Sequence, residues 1–169
     1  MNILQLPWRT IAKEAFDRTL PFVNAFCCLH FANKYICSSA LAFGPSMIPT
    51  ISLTGDLVLV DKISTRFGQI KNGDIVLVRS PANPRKIITK RVAGMEGDKV
   101  TFLEDPNDKN SSKTVKIQEG HIWVQGDNIY SSTDSRTFGA VPYGLLCGRV
   151  FFRVYPFDSF GSLSSRSQV

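Results

Sequence analysis

Histidine is nearly absent from this 169-residue chain: only His30 and His121 occur. A serine hydroxyl becomes a nucleophile when a base within hydrogen-bond reach takes its proton, and the usual base is histidine. His30 lies in an apolar N-terminal stretch, and His121 stands in the β-patterned run HIWVQ directly after a glycine turn. A Ser-His-Asp triad is therefore disfavoured. Cysteine is scarce as well. Cys27, Cys28, Cys37 and Cys147 form no CxxC pair, and free cysteine packs as a small hydrophobe. No zinc-ligand spacing, basic block or aromatic-basic repeat is present. The net charge of +6 thus does not read as a nucleic-acid surface, and it suits an anionic membrane or simple solubility equally well. No internal repeat or second domain is visible, and no cofactor or metal is indicated.

The composition, 43% hydrophobic and 20% charged residues, is that of a globular chain long enough to build a core without disulfide staples. Leu20 to Phe43 (LPFVNAFCCLHFANKYICSSALAF) has the length to cross a hydrocarbon core, which takes roughly 20 residues as helix. Lys34 interrupts it, Asn24, His30 and Asn33 are polar, and the charge-free run extends only from Thr19 to Asn33. The reading adopted is an N-terminal flank at 1–19 and a membrane anchor helix at 20–42, with Pro21 near its start. A buried or partner-binding helix is one alternative. A cleaved signal is another, because Ala40-Leu41-Ala42 has the small-x-small pattern of a cleavage site.

From residue 51 the pattern changes to short β-branched runs separated by glycine, asparagine and aspartate. Strands are predicted at 57–63, 75–80, 87–95, 99–104, 114–117, 121–125 and 148–156, which reads as a sheet-rich barrel or sandwich. Residues 105–113 (DPNDKNSSK) read as an exposed hairpin tip. The serine-rich tail at 161–169 is expected to be disordered.

One hydroxyl stands in an unusual frame. In FGPSMIPT (43–50), Ser46 lies between Pro45 and Pro49, which remove two backbone donors and restrict φ on both sides. The residues before them, Gly44 and Ile48, are expected to be extended. With histidine disfavoured, lysine is the remaining base, provided burial lowers its pKa by several units. Lys90 is the best placed. In IITKRVAGM, alternation sends Ile88, Lys90 and Val92 to one face and Thr89, Arg91 and Ala93 to the other. A lysine there is either snorkelling at a sheet edge or desolvated and functional.

GPSMIPT, GDLVLVDK, ITKRVAGMEGD and GDNIYSSTDSRTFGAVP occur in the order and spacing of the type I signal peptidases. The chain resembles that family from about residue 10 to residue 155, most of all its mitochondrial inner-membrane branch. The resemblance implies a mainly β fold: a compact barrel or sandwich peptidase domain at 43–160, preceded by one N-terminal helix. It implies a Ser46 nucleophile with Lys90 as general base. Ser132 would orient the lysine amine, Asp134 and Arg136 would form a buried supporting ion pair, and Asp127 would partner Arg91. The Ser46 N–H would serve an oxyanion hole. Many bacterial relatives carry a hydroxyl where this chain has Gly44, so the second donor is unassigned. Phe43, Met47 and Ile48 would form a nonpolar patch that accepts an extended substrate near the membrane.

The implied setting is the mitochondrial inner membrane, with the catalytic domain toward the intermembrane space. The implied partners are precursors carrying intermembrane-space sorting signals and a second protease subunit, with no cofactor. A bacterial or chloroplast signal peptidase and a non-catalytic, membrane-anchored peptide-binding β-domain are the alternatives. A self-cleaving repressor-type peptidase would need a DNA-binding helix-turn-helix, which is not visible. The endoplasmic-reticulum enzyme uses histidine where this chain has Lys90.

Overall fold

A computed structural model describes residues 8–104 and 111–163. The chain divides into two units, one ending at Ile36 and the other beginning at Cys37.

The first unit is a single helix, α1 (Trp8–Tyr35), of 28 residues with Pro21 inside it and no buried residue. It begins well before the predicted anchor, because the segment with Arg9, Lys13, Glu14 and Arg18 is built largely of good helix formers. It ends earlier than predicted, because CSSALA enters a sheet instead. Among the described residues, no helix is long and apolar enough to cross a membrane. The helix predicted at 20–42 is thus found at Trp8–Tyr35, with polar residues and Lys34 diluting its C-terminal half and charged residues occupying its first turns.

The second unit is β-structure. Its strands are β1 (Cys37–Ala42), β2 (Asp56–Asp61), β3 (Ile75–Arg79), β4 (Ile87–Gly94), β5 (Lys99–Leu103), β6 (Ser112–Lys116), β7 (His121–Gln125), β8 (Val141–Pro142), β9 (Leu146–Tyr155) and β10 (Gly161–Ser162). The main sheet runs β1-β2-β9-β3-β4-β7-β8, with β10 added on β9, and β5 and β6 form a separate hairpin. The path is open, so the described strands do not close the barrel. All seven predicted strands are present within one or two residues at either end. β1 went unpredicted because its small and apolar residues read as the end of the anchor. The tail is ordered further than expected, since β10 pairs with β9 and the Leu163 N–H donates to the Phe151 carbonyl at 3.0 Å. The remainder of the tail, and positions 105–110 of the predicted hairpin tip, lie outside the described residues.

Two apolar clusters fill the fold. One gathers Ala42, Met47, Ile51, Val58, Val60, Ile75 and Val150, and the other Ile70, Val76, Val78, Val92, Ile122, Val124 and Val141. Neighbouring residues of β3 go to different clusters, Ile75 to the first and Val76 to the second, as the pleat requires. Their ladder partners on β4 are Arg91 and Lys90 respectively. Directly opposed residues share a face, so the sheet itself sends these two adjacent cations in opposite directions.

Candidate active site

Lys90 sits at the middle of β4 and is only 2% exposed. It shares its face with Ile88 and Val92, whose methyl groups belong to the second apolar cluster. Burial among them is the main reason its pKa falls to about 8. The positive charges of Arg136 and Lys86 act in the same direction, while Asp134 and Asp127 partly oppose them. The edge-snorkelling alternative does not hold, because a side chain 2% exposed lies within the fold and not along its rim. Its Nζ donates to Ser132 Oγ at 2.8 Å, and Ser132 Oγ donates onward to Asp134 Oδ2 at 2.7 Å.

Asp134 is fully buried and caps α3 (Ser135–Phe138), accepting from the Arg136 N–H at 3.1 Å. The Arg136 guanidinium grips both carboxylate oxygens at 2.9 Å, and the Gly126 N–H donates to Oδ2, also at 2.9 Å. Burial by itself would raise this carboxyl's pKa. The donors from Arg136, Gly126 and Ser132 outweigh it and hold the pKa below the usual value. The group therefore stays ionised and accepting, which fixes Ser132 and, through it, the lysine amine.

The loop carrying Ser46 is built differently. Gly44 takes φ +109°, a conformation that residues with a Cβ rarely adopt. The expectation that Gly44 is simply extended is corrected, and glycine at this position acquires a backbone reason. Pro45 opens a 3₁₀ turn, Pro45–Met47, and Ile48 follows at φ −67° and ψ 136°, extended as predicted. Met47 is 2% exposed and packs in the first apolar cluster with Ile51. It is therefore an internal anchor of the loop rather than part of the predicted substrate patch. Phe43 is 74% exposed, and Ile48 is half-buried.

Ser46 is half-buried, and its carbonyl accepts from the Asn128 N–H at 3.1 Å. Gly126 brings the two halves together. A Cβ at Gly126 would collide with the Ser46 carbonyl oxygen and with both Cβ and Oγ of Ser132. Its bare Cα therefore lets the Ser46 loop and the Lys90-bound serine approach each other. Ser46 Oγ and Lys90 Nζ make no hydrogen bond to each other in this structure.

On the opposite face of β4, Arg91 forms a two-pronged pair with Asp127, Nε to Oδ1 at 2.7 Å and Nη2 to Oδ2 at 2.6 Å. The Thr50 hydroxyl donates to the same carboxylate, and the Thr50 carbonyl accepts from Arg153 Nη2 at 2.7 Å. Arg153 Nη1 lies 3.0 Å from Asp56 Oδ2. The end of the FGPSMIPT segment is thus clamped from β4, from the β7 side and from β9.

The sequence matches the family profile described as "Signal peptidase, peptidase S26" over residues 16–109 and 103–155. The chain belongs to this signal peptidase family. As a member of S26 it is a peptidase, and its relatives carry more specific names. The Arabidopsis thaliana "Mitochondrial ATP-independent inner membrane protease subunit 1a" is 50% identical over 156 residues, covering 92% of this chain and 93% of that one. The Mus musculus "Mitochondrial inner membrane protease subunit 1" is 44% identical over 155 residues, 92% of each chain. A Danio rerio "Mitochondrial inner membrane protease subunit 2" is 40% identical over 117 residues, 67% of this chain and 61% of that one.

For this S26 chain, the structure draws together Lys90, Ser132, Asp134 and Arg136 on one side of Gly126, with Ser46 against it. It places Arg91 and Asp127 against Thr50, at the end of the Ser46 loop. Sequence reasoning passed over Gly126, Asn128, Thr50 and Arg153. Gly126 and Asn128 flank Asp127 within a recognised motif, and Thr50 closes another. Arg153 sits in an apolar strand, and its only local signal was a lone cation in FFRVY.

Proposed function

We propose that the chain is a serine endopeptidase in which Ser46 attacks the scissile carbonyl and Lys90 is the general base. Neutral Lys90 takes the Ser46 proton as the Oγ–C bond forms, then donates it to the leaving amine as the C–N bond breaks. Water, deprotonated by the same amine, then hydrolyses the ester and returns Ser46 to its starting state. The observation that carries this reading is a buried lysine whose ammonium is destabilised to about pKa 8 and whose amine is held by Ser132. A base poised near neutrality combines a usable neutral fraction with enough basicity. Phe43 and Ile48 offer apolar contact to an extended chain, and the Ser46 N–H stabilises the oxyanion.

The proposal extends to the cellular setting, on the strength of what the relatives are named. The chain acts at the mitochondrial inner membrane with its β unit toward the intermembrane space. It removes sorting signals from precursors delivered there and works beside a second protease subunit.

The test uses the full chain in detergent and a peptide spanning a sorting signal, with the new N-termini mapped by mass spectrometry. Ser46→Ala and Lys90→Ala each remove cleavage, by about 10⁴-fold or more in kcat, while the fold is kept. Processing retained by either variant overturns the mechanism. In the native enzyme, kcat/KM rises with pH through a limb near the Lys90 value of about 8.

A further inference from the structure

Asn128 makes four hydrogen bonds to the nucleophile loop and the turn beyond it, one of them from the Ser131 N–H to the Asn128 carbonyl at 3.3 Å. Its N–H donates to the Ser46 carbonyl at 3.1 Å, and its side-chain Nδ2 donates to the Pro45 carbonyl, also at 3.1 Å. Its Oδ1 accepts from the Tyr130 N–H at 3.2 Å, capping the 3₁₀ turn Ile129–Ser131 that delivers Ser132.

The Pro45 carbonyl and the Ser46 N–H belong to one peptide plane. That bond is trans, so the N–H points away from the carbonyl, and whatever fixes the carbonyl also aims the N–H. Apart from Asn128, the Pro45 carbonyl accepts among the described residues only from the Ile48 N–H at 3.5 Å, which is too long to orient it firmly. The Asn128 backbone holds the next plane, between Ser46 and Met47. Both planes flanking the nucleophile are therefore clamped by one residue of the loop that carries the base-orienting serine.

From this geometry we infer that Asn128 is a positioning residue whose carboxamide aims the Ser46 N–H at the developing oxyanion. The inference rests on the Ser46–Lys90 reading above. It addresses the oxyanion hole that Gly44 leaves without a side-chain hydroxyl. Asn128 is half-buried, so both partners can turn to water when the amide is removed, and the loss falls on orientation more than on stability.

The experiment compares Asn128→Ala and Asn128→Asp with Ser46→Ala in the full-length enzyme in detergent, using the sorting-signal peptide. Asn128→Asp keeps the oxygen that caps the turn and lacks the amide donor. Both Asn128 variants are expected to lose about 10²-fold in kcat with KM within about twofold, the scale of a misaimed oxyanion donor. The acidic limb of the Asn128→Ala pH profile stays where it is in the native enzyme, because the amide does not touch Lys90. A native kcat in Asn128→Asp, a loss confined to KM, or a shifted limb in Asn128→Ala overturns the inference. Activity retained in Ser46→Ala would overturn the underlying reading instead, so the two failures are distinguishable.

Discussion

Lys90 and Ser46 stand on opposite kinds of backbone. Lys90 occupies the middle of an eight-residue strand with ladder partners on both sides, Val76 on β3 and, one residue on at Arg91, Gln125 on β7. Ser46 occupies a three-residue turn between two prolines, and its flanking peptide planes are held by a side chain and backbone 83 and 82 positions away in the chain. The strand needs nothing special to hold its lysine in place. Its work is to bury an amine among methyl groups until the charge becomes costly. The turn has no ladder, so each carbonyl that must not rotate needs its own long-range donor. The lysine is tuned by its surroundings; the serine is aimed by its tethers.

One change, Gly126→Ala, touches both halves of this pairing at once. The new methyl has no space between the Ser46 carbonyl and Ser132. The loop must move by about an ångström, enough to cost about 10²-fold or more in kcat. Peptide turnover together with thermal unfolding checks it, and native kcat would show that the two halves are not in register through Gly126.

Lys90→Met isolates the lysine side, and its effect on stability has the opposite sign. The native-state pKa of Lys90, about 8, lies below its ordinary value of 10.5. Below pH 8 both folded and unfolded chains carry the proton, and the native state bears the full cost of a buried ammonium. Between pH 8 and 10.5 the folded chain has released the proton while the unfolded chain still holds it, so native stability rises with pH. Methionine removes the cost, so the variant is more stable than the native chain at pH 7 by on the order of 3 kcal/mol. That gain shrinks toward zero as pH approaches 10.5. Urea unfolding at pH 7 and pH 10 measures it, and a gain independent of pH would contradict burial as the cause.

Gly44→Ala probes the nucleophile side alone and is the mildest change. Nothing lies within 4 Å of a Cβ placed there, so the cost is the backbone conformation at φ +109° and ψ 167°, about 1–3 kcal/mol. Unfolding in urea reads it, and an unchanged midpoint would mean the loop relaxes to a different path.

The two sides were also unequally legible. The alternation in IITKRVAGM placed Lys90 with Ile88 and Val92 because side-chain direction in a strand has period two and depends on nothing outside it. Turn residues and β-branched runs located seven strands for the same local reason. Whether Lys90 was buried or snorkelling could not be read, since that depends on Val76, Val124 and their neighbours arriving from other strands. Met47 was misplaced in the substrate patch because a 3₁₀ turn has no short period from which to tell inside from outside. The anchor was overextended because composition averaged over CSSALA resembles a helix end, and only its pairing with β2 makes it a strand. Gly126 was passed over because a glycine before Asp-Asn looks like any turn until Ser46 and Ser132 are seen on either side of it.

By itself, then, the sequence determined the β character of the body, the face of β4 that Lys90 occupies, and a serine in a frame too stiff to be incidental. These are consequences of local stereochemistry: pleat, proline rings and turn-forming residues act within a few positions. The tertiary structure alone decided that the lysine is desolvated and that Asp134 stays ionised to hold Ser132. It also decided that Asn128 and Gly126 set the Ser46 turn against Ser132, the hydroxyl that holds Lys90. Desolvation and hydrogen-bond closure need atoms brought from distant parts of the chain, and only the assembled sheet supplies them.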